Sequence, residues 1–383
     1  MHIRFLTGRL DSATGEDAYD GRLIDALAAR GHRISVIART DQGRDGPVTV
    51  YPLPLPAPAQ GLLLRKFELP LSLARGRRAI RNLSCPAPDI TVASEHLFMR
   101  GHAARFRRRP WVYFPHPFTY PEEIERFTEP KLHHRLSMGA ARRLQSWAVG
   151  RADITVRLCR TSMEAIMEQL SLDDMARFTL ITPATWTEAA PRQRDPLGPL
   201  RLLVTAEGLH TTKRLDLAIR AVLALPPWAK WELHIVGDGD DRTIYETQAA
   251  DDGRILPIHF HGAQDDLSPF YRRCDVLLFP SRLEHMGLTL IDAMKHGLPV
   301  LALDSRIQGL HTASNEIVDN GETGWLAGSD EAFVAGVQRL VTDPAPVDAA
   351  GARAHLVASK RFAWESHVDR WEEVLTDIVA RSG

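Results

Sequence analysis

The sequence predicts an α/β protein built as two doubly wound parallel-sheet domains facing each other across a cleft. Three observations predict it. Short apolar runs alternate with amphipathic stretches almost throughout, the alternation breaks near residue 190, and it then restarts. A chain of 383 residues also suits two domains of about 150–200 residues better than one core.

In the first half the strand candidates are residues 3–7, 33–39, 48–54, 89–94, 111–116, 153–159 and 178–182. Helices fit between several of them. Residues 21–32 carry Leu23, Ile24, Leu27 and Ala28 on one face, with Gly31 as the stop. Nearly all-apolar strands separated by helices imply parallel sheets covered on both faces, the Rossmann-like arrangement. Residues 186–199, "WTEAAPRQRDPLGP", hold three prolines and mixed charge with no apolar period, and read as a linker. Strand candidates resume at 200–208, 231–239, 258–262, 275–281 and 299–304. The last segment is a long amphipathic helix with Trp364, Val368, Trp371, Val374 and Leu375 on one side. The expected domains are therefore 1–185 and 200–363, with the terminal helix 364–383 packing back on the first.

Composition excludes several classes. The chain is 44% apolar and 25% charged, near the globular average, and no run approaches the ~20 apolar residues of a membrane span. The N-terminus shows no secretory pattern. Cys85, Cys159 and Cys274 lie far apart without CxxC spacing, which suits a reducing cytoplasm and neither a disulfide framework nor a cysteine zinc site. Net charge is −1, but residues 1–190 hold 27 Lys+Arg against 20 Asp+Glu and the remainder 20 against 28. The halves thus carry +7 and −8 and have different tasks. Neither value argues for nucleic acid, and no nucleic-acid motif is present.

In an open parallel sheet, ligands collect beyond the carboxyl ends of the strands, where helix-start amides hold anions. The stretch "SRLEHMGLTLIDAMKHGLPVLALD" begins at such an end. Glu284 falls in the loop, and Met286, Gly287 and Leu288 cluster amides at the helix start. Asp292 lies one turn beyond Leu288 on the same side. An anion site flanked by two acceptors suits a ligand that combines phosphates with vicinal hydroxyls, a nucleotide sugar. The plainer alternative is a solvated Glu284 and an Asp292 paired with Lys295 or Arg282.

The same stretch resembles the signature of the retaining GT-B glycosyltransferases of family four, the group 1 glycosyltransferases. It matches at Pro280, Ser281, Glu284, Gly287, Leu288, Ala293, Met294, Gly297, Pro299 and Val300. "GLHTTKRLDLAIRAV", "HIVGDGDDR", "HGAQDDLSPFYRRCDVLLFPS", "NEIVDNGETGWLA" and "TGEDAYDGRLIDALAARGH" resemble further family motifs in the family's order. The resemblance implies a GT-B fold and a sugar transfer that retains anomeric configuration. It assigns Asp292 to the donor ribose, Glu284 to the transferred sugar, and the Gly287 and Leu288 amides with Lys213 to the diphosphate. Gly262 would lie near the nucleobase and His116 by the donor sugar. Gly15 belongs to the loop closing over the phosphates. The chain departs from the family at Asp292 (Glu in the family), Gly208 (Arg), Glu207 (Gly) and Thr14 (Gly). His210, Arg214 (where the family has Gly) and Arg282 are the candidates for a second cation.

The resemblance further implies a UDP- or GDP-sugar as substrate, no cofactor and no metal, since Lys213 supplies the charge. The acceptor would be a saccharide, a lipid-linked or a small molecule, docking on the first domain. "GDGDDR" contains D-x-D but reads as a tight acidic turn, and His259 with His261 lacks a third ligand nearby in sequence. Residues 61–82 hold six Lys+Arg, one acid and many leucines. That composition suits either peripheral contact with the inner membrane face or ordinary amphipathic helices. Two rival readings are a nucleotide-sugar-dependent disaccharide synthase and a non-catalytic partner subunit.

Overall fold

In a computed structural model, residues 1–7, 15–38, 47–52, 78–80, 82–94, 99–106, 108–116, 132–206, 209, 211–239, 241–250, 256–284 and 287–382 are described. The chain divides into two units. One comprises Met1–Leu158, Met163–Ile181 and Val368–Gly383, the other Cys159–Ser162 and Thr182–His367.

The first unit carries β1 (His2–Leu6), α1 (Gly15–Ala29), β2 (Arg33–Ala38), β3 (Val48–Pro52), β4 (Ile90–Ala93), α2 (Met99–Arg105), β5 (Trp111–Tyr113), α3 (Leu132–Arg151), β6 (Ile154–Arg157), α4 (Arg160–Leu170) and β7 (Phe178–Leu180). Its strands pair in parallel in the order β3-β2-β1-β4-β5-β6-β7. The order reverses between β1 and β4, so the carboxyl ends of those two strands flank the position where such sheets bind ligands.

The second unit follows the same plan: β8 (Leu200–Thr205), α5 (Leu215–Leu223), β9 (Trp231–Val236), α6 (Arg242–Ala250), β10 (Ile258–Phe260), α7 (Ser268–Arg273), β11 (Val276–Phe279), α8 (Leu288–Lys295), β12 (Val300–Leu303), α9 (Ser314–Ile317), β13 (Gly324–Ala327), α10 (Asp330–Thr342) and α11 (Ala345–Arg361). Strand order is β10-β9-β8-β11-β12-β13, again all parallel, with the reversal between β8 and β11. Both faces of this sheet are covered. Leu202, Val204 and Leu278 pack toward α5 and α10, and Leu203, Leu277 and Phe279 toward α8 and α11.

Twelve strands fall inside the ranges that the apolar pattern marks out, or overlap them. The thirteenth, β13, does not show as a strand in the sequence because it is four residues long and starts on glycine. That glycine is required by packing: a Cβ on Gly324 would lie 2.2 Å from the Val300 carbonyl oxygen of β12.

Residues 182–199 belong to the second unit and contain no helix or strand. Their charges find partners within the second unit instead. Arg192 Nη1 meets Asp275 Oδ1 at 2.9 Å, with both side chains 3% exposed. The Arg192 amide donates to the His296 carbonyl at 2.8 Å, and Arg194 meets Asp348 at 3.0 Å.

The terminal helix α12 (Trp364–Ser382) joins the first unit from Val368 onward. Val368, Trp371 and Leu375 are fully buried, and the Trp371 indole donates to the Tyr19 hydroxyl at 3.0 Å. Just before that seam, the His367 Nδ1 bonds the Thr182 carbonyl at 2.6 Å, and its ring stacks on Trp364. No helix among the described residues is long and apolar enough to cross a membrane. The basic stretch at 61–77 lies outside them.

Burial lowers the His367 pKa to about 4, against a smaller upward pull from Thr182. An unfolded histidine titrates near 6.5. Between those values the unfolded chain takes up a proton that the fold refuses, so this contribution is complete above pH ~6.5 and lost by pH ~4. His102, buried beside Arg4 and Arg105, acts in the same direction. Urea unfolding at pH 7.5 and pH 4.5 is therefore expected to differ by on the order of 3 kcal/mol from His367 alone. In His367→Gln the difference should shrink by that amount, and an unchanged pH slope in the variant would rule the assignment out.

Candidate functional site

The loop between β11 and α8 is held by backbone hydrogen bonds on two sides. The Arg282 amide donates to Thr212 O (2.8 Å), the His311 amide to Arg282 O (2.7 Å), and the Glu284 amide to His311 O (2.8 Å). Thr212 sits in the 3-10 turn Thr211–Lys213 that follows β8. Because β8 and β11 are neighbours, these bonds draw the two loops together at the carboxyl ends of the strands. The result is an ion pair: Lys213 Nζ lies 2.5 Å from Glu284 Oε2, with the side chains 20% and 25% exposed.

Gly287 caps α8 with φ +67°. A side chain is barred there twice, by the left-handed backbone and by Ile317, whose Cδ1 would lie 2.4 Å from a Cβ. The first amides of an α-helix lack intrahelical acceptors, so the amides from Leu288 onward form a positive end just after the loop that carries Glu284. Met286 falls outside the described residues, as do Glu207 and Gly208.

Asp292 and Lys295 lie near enough for their charges to act on one another, but among the described residues they form no direct ion pair. The Lys295 ammonium donates instead to the Thr185 carbonyl at 2.6 Å. Burial raises the Asp292 carboxyl, while the nearby Thr187 and Thr185 hydroxyls and the His296 and Lys295 charges oppose that rise. Asp292 Oδ1 has no hydrogen-bond partner among the described residues, which leaves one acceptor uncommitted.

Arg214 is already engaged. Its guanidinium reaches Asp330 at 2.6 Å and Asp216 at 3.3 Å. Burial alone would lower its pKa, but those carboxylates raise it. Arg214 also occupies the left-handed region, φ 52°, as the residue before α5. Of the two neighbouring cations at this turn, Arg214 is thus committed to Asp330 and Asp216, while Lys213 pairs with Glu284 of the loop that precedes α8.

Gly262 follows β10 with φ +68°, and its carbonyl accepts the Gly237 amide at 2.8 Å. Beside it the His234 Nδ1 bonds the His261 Nε2 at 3.0 Å, and the His259 ring stacks on His234. Asp238 turns back on its own loop, accepting the Gly239 amide and pairing with Arg242.

In the first unit His116 is buried beyond the end of β5, and its Nε2 lies 2.6 Å from Asp20 Oδ1. Asp20 Oδ2 accepts the Thr7 hydroxyl at 2.7 Å and the Ser94 hydroxyl at 2.8 Å. Burial would raise the Asp20 carboxyl, but the His116 ring and the two hydroxyls hold it below the usual range. Thr7 and Ser94 directly follow β1 and β4, the strands that flank the order reversal. Gly15 is the first residue of α1, the helix that carries Asp20. The sequence reading found His116 and missed Asp20, Thr7 and Ser94. For Thr7 and Ser94 the signal was a polar residue placed directly after an apolar parallel strand, whereas Asp20 lies within α1 and carried none.

Comparison with known proteins agrees with this layout. Residues 14–181 match the glycosyl transferase 4-like domain model, and residues 200–343 match glycosyl transferases group 1. A D-inositol 3-phosphate glycosyltransferase of Stackebrandtia nassauensis is 26% identical over 96% of this chain and 88% of its own. An exopolysaccharide phosphotransferase of Streptomyces coelicolor is 30% identical over 47% of this chain, and the match spans only 19% of that relative's length. A lipopolysaccharide core biosynthesis glycosyltransferase of Rhizobium meliloti is matched over 47% of its length. Among solved structures, sucrose-phosphate synthase from Thermosynechococcus elongatus superposes with a TM-score of 0.75 at 17% identity, covering 99% of both chains. HepE of Anabaena, solved with UDP and glucose, gives 0.70 at 19% identity, covering 98% of this chain and 100% of that one. These likenesses establish the GT-B fold.

The strained turn at Arg214 is testable by stability alone. Arg214→Ala keeps the left-handed backbone and loses both carboxylate partners, so it should cost roughly 1–3 kcal/mol in urea unfolding. Arg214→Gly should cost less, because glycine relieves the strain. Equal losses would show that the backbone carries none.

Proposed function

We propose, from the premise that this chain belongs to the group 1 glycosyltransferases, that it moves a sugar from a nucleoside-diphosphate sugar to an acceptor hydroxyl with retention of configuration. The observation that carries this reading is the Lys213–Glu284 pair in the loop that leads into α8. A diphosphate seated on the amides at Gly287 and Leu288 competes for the Lys213 ammonium. The Glu284 carboxylate is then released toward the hydroxyls of the transferred sugar.

The chemistry needs stabilisation where charge develops. The bond from the anomeric carbon to the diphosphate oxygen breaks, a bond from that carbon to the acceptor oxygen forms, and the acceptor proton passes to the leaving oxygen. Preorganised N–H groups and Lys213 stabilise the departing anion without a metal. Asp292 offers its uncommitted Oδ1 to the donor ribose. His116 is a positioning group by the donor sugar, its ring held by Asp20, and Gly15 belongs to the loop over the phosphates. Gly262 borders the nucleobase. The UDP bound to HepE supports a uridine nucleotide as the first donor to try. The names of the matched relatives support a saccharide, lipid-linked or inositol-type acceptor.

Incubation with a panel of UDP- and GDP-sugars is expected to release nucleoside diphosphate from at least one, even without acceptor, and silence across the whole panel would defeat the proposal. Lys213→Ala should lower turnover ~100-fold or more. Its melting temperature should move little, because a part-exposed pair is worth at most about 1 kcal/mol. For Asp292→Ala, donor binding by calorimetry should weaken ~10- to 100-fold, the loss of one charge-assisted hydrogen bond. Unchanged affinity would remove Asp292 from the donor site.

A further inference from the structure

The first unit contains a group of buried polar atoms that the transfer site does not use. Thr91 of β4 and Trp111 of β5 are Cα partners in a parallel ladder, so their side chains leave the sheet on the same face. Helix α2 covers that face. Its His102 ring meets Trp111 edge-on, with centroids 4.9 Å apart at 84°, and Phe106 closes the other side at 4.7 Å. Thr91, His102 and Trp111 are each 0% exposed. Among the described residues, Thr91 Oγ1, Trp111 Nε1 and both ring nitrogens of His102 have no hydrogen-bond partner.

Four polar atoms in that state within one side-chain cluster do not belong to an ordinary core, where buried donors and acceptors are paired with protein or ordered water. Among the described residues the three side chains do not satisfy one another. Adjacent strands lie about 4.8 Å apart, farther than a direct hydrogen bond reaches and within the span of one bridging molecule. The chemistry of the group also limits what the bridge is. Burial first, then the charges of Arg4 and Arg105, keep His102 neutral, so it presents one donor and one acceptor. The indole only donates, and the threonine hydroxyl does both. Neutral groups of mixed polarity, sealed from solvent, match a small neutral molecule with two donors and two acceptors.

We infer that an ordered internal water sits between β4, β5 and α2, hydrogen-bonded to the Thr91 hydroxyl, the Trp111 indole N–H and the His102 ring. It accepts from the indole and trades hydrogen bonds with the hydroxyl and the imidazole, making the three or so bonds typical of buried water. The polar face continues one strand further, where Thr155 of β6, also fully buried, has an Oγ1 without a partner among the described residues. Thr91 and Thr155 occupy strand positions where valine has the same shape. Their hydroxyls are therefore an expense unless something bonds them.

The sign of one substitution separates a wet site from a dry one. Thr91→Val removes only the hydroxyl and keeps the volume. If a water is bonded there, the variant loses a partner and should melt ~2–4 °C lower. If the site is dry, the variant loses an orphaned polar atom and should melt at the wild-type temperature or above. A second measurement reads the wild-type fold itself. In the wild-type protein, the Trp111 indole N–H, assigned by its loss in Trp111→Phe, should show a nuclear Overhauser contact to a long-lived water. A melting temperature for Thr91→Val equal to or above wild type, or no water contact at the Trp111 indole, overturns the inference.

Discussion

The second unit depends on one constraint of its backbone: two loops are tied so that a lysine from one and a glutamate from the other meet ahead of a helix. Lys213 and Glu284 lie 71 residues apart and still approach to 2.5 Å. A pair that is a fifth to a quarter exposed contributes little to stability, so the pairing is not what draws the loops together. The backbone does that, through Arg282 to Thr212 and Glu284 to His311. Parallel pairing of β8 with β11 puts both loops at one edge of the sheet. Gly287 then turns the chain into α8 through a conformation and a space that other residues do not tolerate.

The first unit solves a related problem with burial. Asp20 is a fully enclosed carboxylate, and an unpaired charge there would be costly. Thr7, Ser94 and His116 together satisfy it. Three of these four side chains come from the ends of β1, β4 and β5, and the fourth from α1. The imidazole is thereby held in one orientation by the sheet itself. The two units thus present different chemistry on the same scaffold: a part-exposed ion pair ahead of a helix in one, a sealed histidine–carboxylate pair in the other.

Much of this was legible in the residues. Apolar runs such as Ile90–Ala93 and Val276–Phe279 are strands because their side chains are buried on both faces, and that pattern is local. The glycine at 287 and the Glu284–Asp292 spacing marked the helix start for the same reason. Arg214 illustrates the limit. Next to Lys213 it looks like a second phosphate ligand, but Asp330, more than a hundred residues later, claims its guanidinium. Residues 186–199 illustrate it again, since their prolines and charges read as a free tether while Arg192 is buried against Asp275.

By itself the sequence determined that there are two parallel-sheet domains, where most strands run, and which loops carry Glu284 and Lys213, because periodicity and turn chemistry act over a few residues. Only the tertiary structure decided which charges are spent internally, that Asp20 with Thr7 and Ser94 fixes His116, and that β13 completes the second sheet. Those outcomes depend on contacts between segments tens to hundreds of residues apart. A charged side chain takes whichever partner the packed core brings within reach, and no local pattern records that choice.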